Sequence, residues 1–417
     1  MKHQHLLRGV FFLYAFFGSL AVADDAREDA PVADAVNSAA FEELVHTAEQ
    51  GDGDAQADLA DMYAAGRTVP QDFERAAYWR KRAAEQGIAR AENALGKQYA
   101  AGLGVPQDHE KALSWLQRAA ENEDPDFWFD LAVYYEQVGG TEALEAAIDW
   151  HSRAVDAGHV GAHAHLGLLY YNGSGAAQDL SRAADLLAYA AERGHARAQN
   201  NLGLMLSQGN GVAQDYEKAV ALFQSAADQR LKEAYTNLGV MYENGFGVEF
   251  DEARAVDLYR QARLQGSLEG LLQQIGFLAD PRIDIVVATP DYLQRLLRQA
   301  ELGDVISQFQ CGYHLLGSGG AGGVPADYAA AADLFGKAAA NGINTAMTNL
   351  GLLYFRGLGV PQDYVLGFMW VSLGARSGRD LLVETRDNLM SFLTASQINE
   401  AQRMAREFSA GRRAGIQ

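Results

Sequence analysis

Leu95-Gly96-Lys97-Gln98-Tyr99-Ala100-Ala101-Gly102-Leu103-Gly104-Val105-Pro106-Gln107-Asp108 reads as the end of one helix, a tight turn and the start of another. Ala91, Leu95 and Tyr99 are four apart, so they share one helix face. Gly102 and Gly104 stop that helix and tolerate positive φ. Asp108 stands where a second helix needs an acceptor for its free amides.

Working outward, the Leu-Gly pair or a close substitute returns along the chain. It appears as Leu59-Ala60, Leu95-Gly96, Leu131-Ala132, Leu166-Gly167, Leu202-Gly203, Leu238-Gly239, Ile275-Gly276, Cys311-Gly312 and Leu350-Gly351. The steps between the small second members are 36, 36, 35, 36, 36, 37, 36 and 39, which defines nine units. Extra glycines in Gly317 to Gly323 lengthen the last step. Ala recurs five before this anchor (Ala55, Ala162, Ala198, Ala234, Ala346) and Tyr three after it (Tyr63, Tyr135, Tyr170, Tyr242). Asp recurs twelve after it (Asp72, Asp179, Asp215, Asp251, Asp363), and a Gly closes several units (Gly87, Gly194, Gly266, Gly303, Gly378). Apolar residues at helical spacing follow each Asp, as in Ala76, Trp79 and Ala83, and the tryptophans at this place (Trp79, Trp115, Trp150, Trp370) are assigned to the core. Two short helices cannot bury their apolar faces alone, so neighbouring units must share a continuous core.

The pattern Leu-Gly-X-X-Tyr-X-X-Gly-X-Gly-Val-X-X-Asp, followed by Ala, Trp and Ala-Ala, resembles the Sel-one-like repeat family, relatives of tetratricopeptide repeats. The resemblance covers roughly residues 38–378. It implies an all-α fold, a right-handed α/α solenoid of stacked antiparallel helix pairs. Residues 368–408, with Met369-Trp370, Arg386-Asp387, Leu393-Thr394 and Ala401-Gln402, resemble the closing segment of bacterial members. The domain layout expected from this is a signal peptide at 1–23, a flexible acidic lead-in at 24–37 and repeats over 38–378. Capping helices at 379–408 and a tail at 409–417 complete it. Two units depart from the pattern. The one at Leu131 has a shortened turn at Gly139-Gly140 and lacks the Asp. The one at about 268–303 replaces its turn with Pro281 to Pro290, including Ile283-Asp284-Ile285-Val286-Val287. That segment reads as a simple bend first, with a cover for the core or a partner-binding loop as alternatives.

The formal charge of −20 disfavours nucleic acid and anionic lipid, because it repels phosphate. It suits solubility, or a basic partner. Cys311 is the single cysteine, which excludes an intrachain disulfide and a multi-cysteine zinc site. It stands where other units carry Leu and is expected to be a small buried hydrophobe. Met1 to Arg8 is basic, Gly9 to Leu20 is apolar, and Ala21-Val22-Ala23 precedes Asp24-Asp25. This is the form of a secretory signal cleaved after Ala23, so a periplasmic or secreted location is expected. The apolar run is shorter than the ~20 residues of a spanning helix.

The chain has no phosphate-binding Gly-rich loop with Lys, no Gly-X-Ser-X-Gly elbow and no His-Glu-X-X-His helix. His151, His159, His163 and His165 cluster. His159 and His163 are four apart, a spacing that can hold a metal with Asp156 as a carboxylate ligand. Solvent-exposed turn histidines are the preferred reading, so no metal, cofactor or catalytic residue is assigned. Trp128 lies outside the tryptophan register and is open to exposure.

The candidate binding surface lies at positions −3, −2 and +1 from the anchor: Asn200, Asn201 and Leu204; Thr236, Asn237 and Val240; Thr348, Asn349 and Leu352. Amides beside apolar side chains can hold an extended peptide. Equally, they can tie adjacent units together. The expected function is a non-catalytic scaffold of the cell envelope that holds a protein or peptide on its concave face. A polysaccharide-binding module and a hydrolase acting on cell-wall or antibiotic substrates are the alternatives.

Overall fold

The computed structural model describes residues 33–285, 289–317 and 325–414. The expected leader, residues 24–32 of the lead-in, Val286-Val287 and most of the extra-glycine stretch lie outside these. The described residues form twenty-one helices and no strand. The chain is an α-solenoid of antiparallel helix pairs, in which most helices pack on the next along the sequence.

The turn chemistry works as the residues dictate. Gly102 ends helix Ala89–Ala101 at φ 70°, in the left-handed region, and its amide bonds back to Gln98. The Asp108 carboxylate accepts from the Lys111 amide to start helix His109–Ala120. The Asp108 amide in turn donates to Tyr99 across the turn, as Asp72 does to Tyr63 and Asp179 to Tyr170. The second turn glycine has a separate duty. A Cβ on Gly104 would lie 2.2 Å from the Phe73 carbonyl, because this turn rests on the start of the preceding unit's second helix.

The anchor is small for a similar reason. A Cβ on Gly96 would meet Leu116 at 2.8 Å, one on Gly167 would meet Leu187 at 2.9 Å, and one on Gly203 would meet Phe223 at 2.8 Å. Leu116, Leu187 and Phe223 are accordingly buried. The tryptophans stand one place earlier and are only half-buried, packing on the edge of the core rather than inside it. Trp79, Trp115 and Trp150 lie under the guanidinium groups of Arg82, Arg118 and Arg153. Trp128 is half-buried and donates to the Ala120 carbonyl. Cys311 is fully buried, and burial pushes its thiol up to about 12.

First helices of neighbouring units touch directly, as Ala89–Ala101 does Pro125–Val138 and Ala196–Gln208 does Lys232–Asn244. Successive second helices make no comparable contact among the described residues. Where these units pack most closely it is their first helices that meet, and these helices form the inner face.

Three boundaries differ from expectation. Helix Ala33–Glu49 takes in the last residues of the lead-in, and helix Ala395–Ala414 takes in most of the tail. In the irregular unit the first helix is cut to Leu268–Ile275 and does not pair with its second helix, Pro290–Glu301. The segment between them does not simply bend. The amide and carbonyl of Leu278 bond to Asn349, two units further on. Buried Asp280 bonds Thr345 at 2.7 Å and Arg282 at 2.8 Å, and lies 3.4 Å from Arg379. The segment is thus a cover laid along helix Asn344–Arg356.

The two ends of the array meet. Arg386, buried in the cap, donates to the carbonyls of Gly66 and Ala65 at 2.9 and 2.7 Å. Gln402 accepts from the Phe73 amide at 2.8 Å, and Asn399 brackets Gly102 and Gly104 at 2.9 Å each. Arg406 pairs with Asp72 and Glu74.

Candidate functional site

The strip on the inner helices divides into an open part and a filled part. In the filled part Thr348, Asn349 and Leu352 are fully buried. Asn349 spends both ends of its amide on the backbone of Leu278, at 2.8 Å each. These three residues are therefore removed from the candidate contact surface, because Asn349 already holds the chain's own cover segment and Thr348 and Leu352 are buried. One unit earlier Gln310, at the same −2 position, donates to the Asp284 carbonyl at 2.7 Å. Two successive inner amides thus grip one non-helical backbone.

In the open part, Asn201, Leu204 and Asn237 are partly exposed, and Thr236 and Val240 are exposed. Asn200 is buried and accepts from Asn237 at 2.8 Å, a tie between adjacent units. It also donates to Asn201 at 3.4 Å. The inter-unit role therefore belongs to Asn200 and Asn237. Asn201, Leu204 and Val240 retain surface for contact.

The histidines do not behave as exposed turn residues. His159 and His195 do sit at turns, where each accepts from a helix amide through Nδ1, at Ala162 and Ala198. Both are partly buried, and burial holds their rings below the usual histidine range, His195 at about 4. His163 is buried, stacks on Tyr189 at 3.7 Å between centroids, and bonds the His159 carbonyl. His151 and His165 converge on one carboxylate, and it is Glu136 rather than Asp156. His151 Nε2 lies 2.5 Å and His165 Nδ1 3.0 Å from the same Oε1 of Glu136. Burial would raise the Glu136 carboxyl, but the two histidine hydrogen bonds outweigh it and bring it down to about 2. Burial holds His151 below the usual range, which favours the neutral imidazole. Glu136 escaped the sequence reading because it lies fifteen residues from His151 and twenty-nine from His165. The available signal was its place four after the anchor Ala132, one helical turn along.

An open recess between Leu264–Gln274 and Asn388–Phe392 is lined by residues without ionisable side chains, including Leu271, Gln274 and Ser391. Among the described residues no helix is long and apolar enough to cross a membrane.

A family model described as the Sel1 repeat matches residues 53–88, 89–124, 129–159, 160–195, 196–231, 232–267, 305–343 and 344–378. It passes over the irregular unit. The chain is similar to the crystal structure of a Sel1 repeat protein from Oxalobacter formigenes, with 27% identity and a TM-score of 0.48 over 52% of this chain and 88% of that one. It is also similar to c5321, a protective antigen present in uropathogenic Escherichia coli strains and displaying an SLR fold. There the identity is 26% and the TM-score 0.35, over 88% of this chain and 94% of that one. No curated protein matches the chain.

Proposed function

Because the chain belongs to the Sel1 repeat family, whose repeats are generally protein–protein interaction modules, we propose that it is a scaffold that grips an extended partner segment on its inner face. One observation carries this reading. Gln310 and Asn349 already hold a non-helical backbone there, and Asn201 and Asn237 occupy the same register place on the open part of the same face. Side-chain amides supply hydrogen bonds to any backbone, so they set register without choosing a sequence. Leu204 and the exposed Val240 supply the apolar contact beside them. The charge of −20 supports a basic partner. The leader-like Met1 to Ala23 supports a site of action in the cell envelope, with a mature chain that N-terminal sequencing should find beginning at Asp24.

Selection from a displayed library of random peptides tests the grip. Peptides that bind should be enriched in Lys and Arg and should weaken as salt rises, since exposed charges are screened beyond ~8 Å at physiological ionic strength. Asn201→Ala and Val240→Ala should each lower affinity at an unchanged melting temperature. Asn237→Ala should lower both, because it also cuts the tie to Asn200. A neutral hydrogen bond is worth ~0.5–1.5 kcal/mol net, so the Asn201→Ala, Val240→Ala pair is the decisive variant. A folded double variant that binds as tightly as the parent removes this face from the binding surface.

A further inference from the structure

In most regular units one large side chain of the second helix lies on the small anchor of the first; at Gly239 it is Tyr259, whose hydroxyl donates to Glu243. Leu116, Leu187, Phe223 and Phe335 serve at Gly96, Gly167, Gly203 and Gly312. In the unit anchored at Ala132 this register place falls to His151, one residue early because the turn at Gly139-Gly140 is shorter. His151 is fully buried. An imidazole here breaks the pattern of the two neighbouring units, where Leu116 and Leu187 fill this place with hydrocarbon. Such breaks are expected at sites rather than at random.

The break is matched by two others. Glu136, near the end of helix Pro125–Val138, turns a carboxylate onto His151, and His165 of helix Val160–Asn172 meets the same carboxylate. One ligand atom from each of the three lies within 4.8 Å of the other two. We propose that Glu136, His151 and His165 form a binding site for a divalent transition-metal ion of the zinc class. Two imidazole nitrogens and one carboxylate oxygen are the donors such an ion takes, at ~2.0–2.2 Å each. Calcium and magnesium favour all-oxygen sets.

The surroundings suit this use. Phe129 stacks on His159 and meets His165 edge-on at 5.2 Å between centroids, which fixes the rings and limits water. His159 is excluded as a ligand because its Nδ1 caps a helix and its Nε2 pairs with Asp126 at 3.2 Å. Nδ1 of His151 is buried without a hydrogen-bond partner. Coordination through Nε2 moves the ring proton to Nδ1, so the metal bond replaces the Nε2–H bond to Glu136 and must offset one buried unpaired N–H. His165 and Glu136 are partly exposed, so water has access to complete a tetrahedral shell.

The repeat itself supplies variants that preserve the fold. His151→Leu installs the residue found at this place in the neighbouring units, and His165→Asn installs the one found at −2 in the next two. The tag-free full chain, stripped with a chelator, should take up one equivalent of zinc in equilibrium dialysis with elemental analysis. Cobalt(II) should give the visible absorption of a tetrahedral nitrogen–oxygen site. Both signals should vanish in the His151→Leu, His165→Asn double variant and persist in His159→Asn. They should also persist in Asn201→Ala, which separates this site from the peptide grip. No stoichiometric uptake by the parent, uptake retained by a folded double variant, or calcium bound in place of zinc would each overturn the assignment.

Discussion

At the scale of single residues, burial is decided by one register step. Leu116 sits on Gly96 and is fully buried, while Trp115 beside it is half-exposed under Arg118. The sequence shows that this part of the second helix is apolar, but not which of two adjacent large residues faces inward, because a rotation of about 100° per residue separates them. Leu116→Ala should therefore cost ~2–5 kcal/mol, as a buried leucine does when a cavity replaces it. Trp79→Ala removes a half-buried ring that packs on Tyr78, Arg82 and the edge of the Ala55 and Leu59 cluster, and should cost less than Leu116→Ala, at ~1–3 kcal/mol. Urea unfolding of the two variants checks the order. A larger loss at Trp79 than at Leu116 would reverse the register. The same step explains why His151 could not be placed from sequence: in a unit with a shortened turn the offsets shift, and a histidine beside Trp150 reads as a surface residue.

At the scale of elements, helices and turns were legible because their causes are local. A capping Asp, a left-handed Gly and a four-residue apolar period each act within one turn of helix. The cover segment was not legible, because its causes are remote. Leu278 is held by Asn349, and Asp280 by Thr345 and Arg379, some 65 to 99 residues away. Asn349, read from spacing as a residue for a partner, has one within its own chain. Asp280 gives this segment a pH dependence. Burial alone would raise its carboxyl, yet hydrogen bonds from Arg282 and Thr345 hold it well below the usual carboxylate range. A depressed folded value adds stability above the unfolded value of ~3.9, and that stability fades as pH falls through the folded value. Hydrogen exchange at the Leu278 amide, corrected for its intrinsic pH dependence, should stay slow above about pH 5 and quicken below about pH 4. Asp280→Asn should remove the acid-dependent part. Exchange that stays equally slow at pH 3 would show that Asp280 does not hold the cover in place.

At the scale of the whole molecule, the array is a closed object rather than an open-ended stack. Repeat arrays ordinarily contact only nearest neighbours, and their end units need polar caps. Here the cap spends its polar groups on the first two units. Arg386 satisfies the Ala65 and Gly66 carbonyls, Gln402 the Phe73 amide, and Asn399 the Gly104 amide. These contacts span 295 to 329 residues of chain, so they link units that simple stacking leaves independent. Closure makes Arg386→Leu a test of the whole ring. The charged donor's bonds are worth about 1.5–3 kcal/mol where they leave buried carbonyls unpaired. A merely local role would quicken hydrogen exchange within helix Asp380–Met390 alone. A closing role would also quicken it at the Phe73 and Gly104 amides, which Arg386 does not touch, and would enlarge the radius of gyration in solution. Raising salt should do neither, because the ion pairs at the seam that salt screens, such as Arg67 with Asp380, are exposed and contribute little. If Arg386→Leu changes only its own helix, the ends of the array are neighbours without being coupled, and each half should then melt in its own transition.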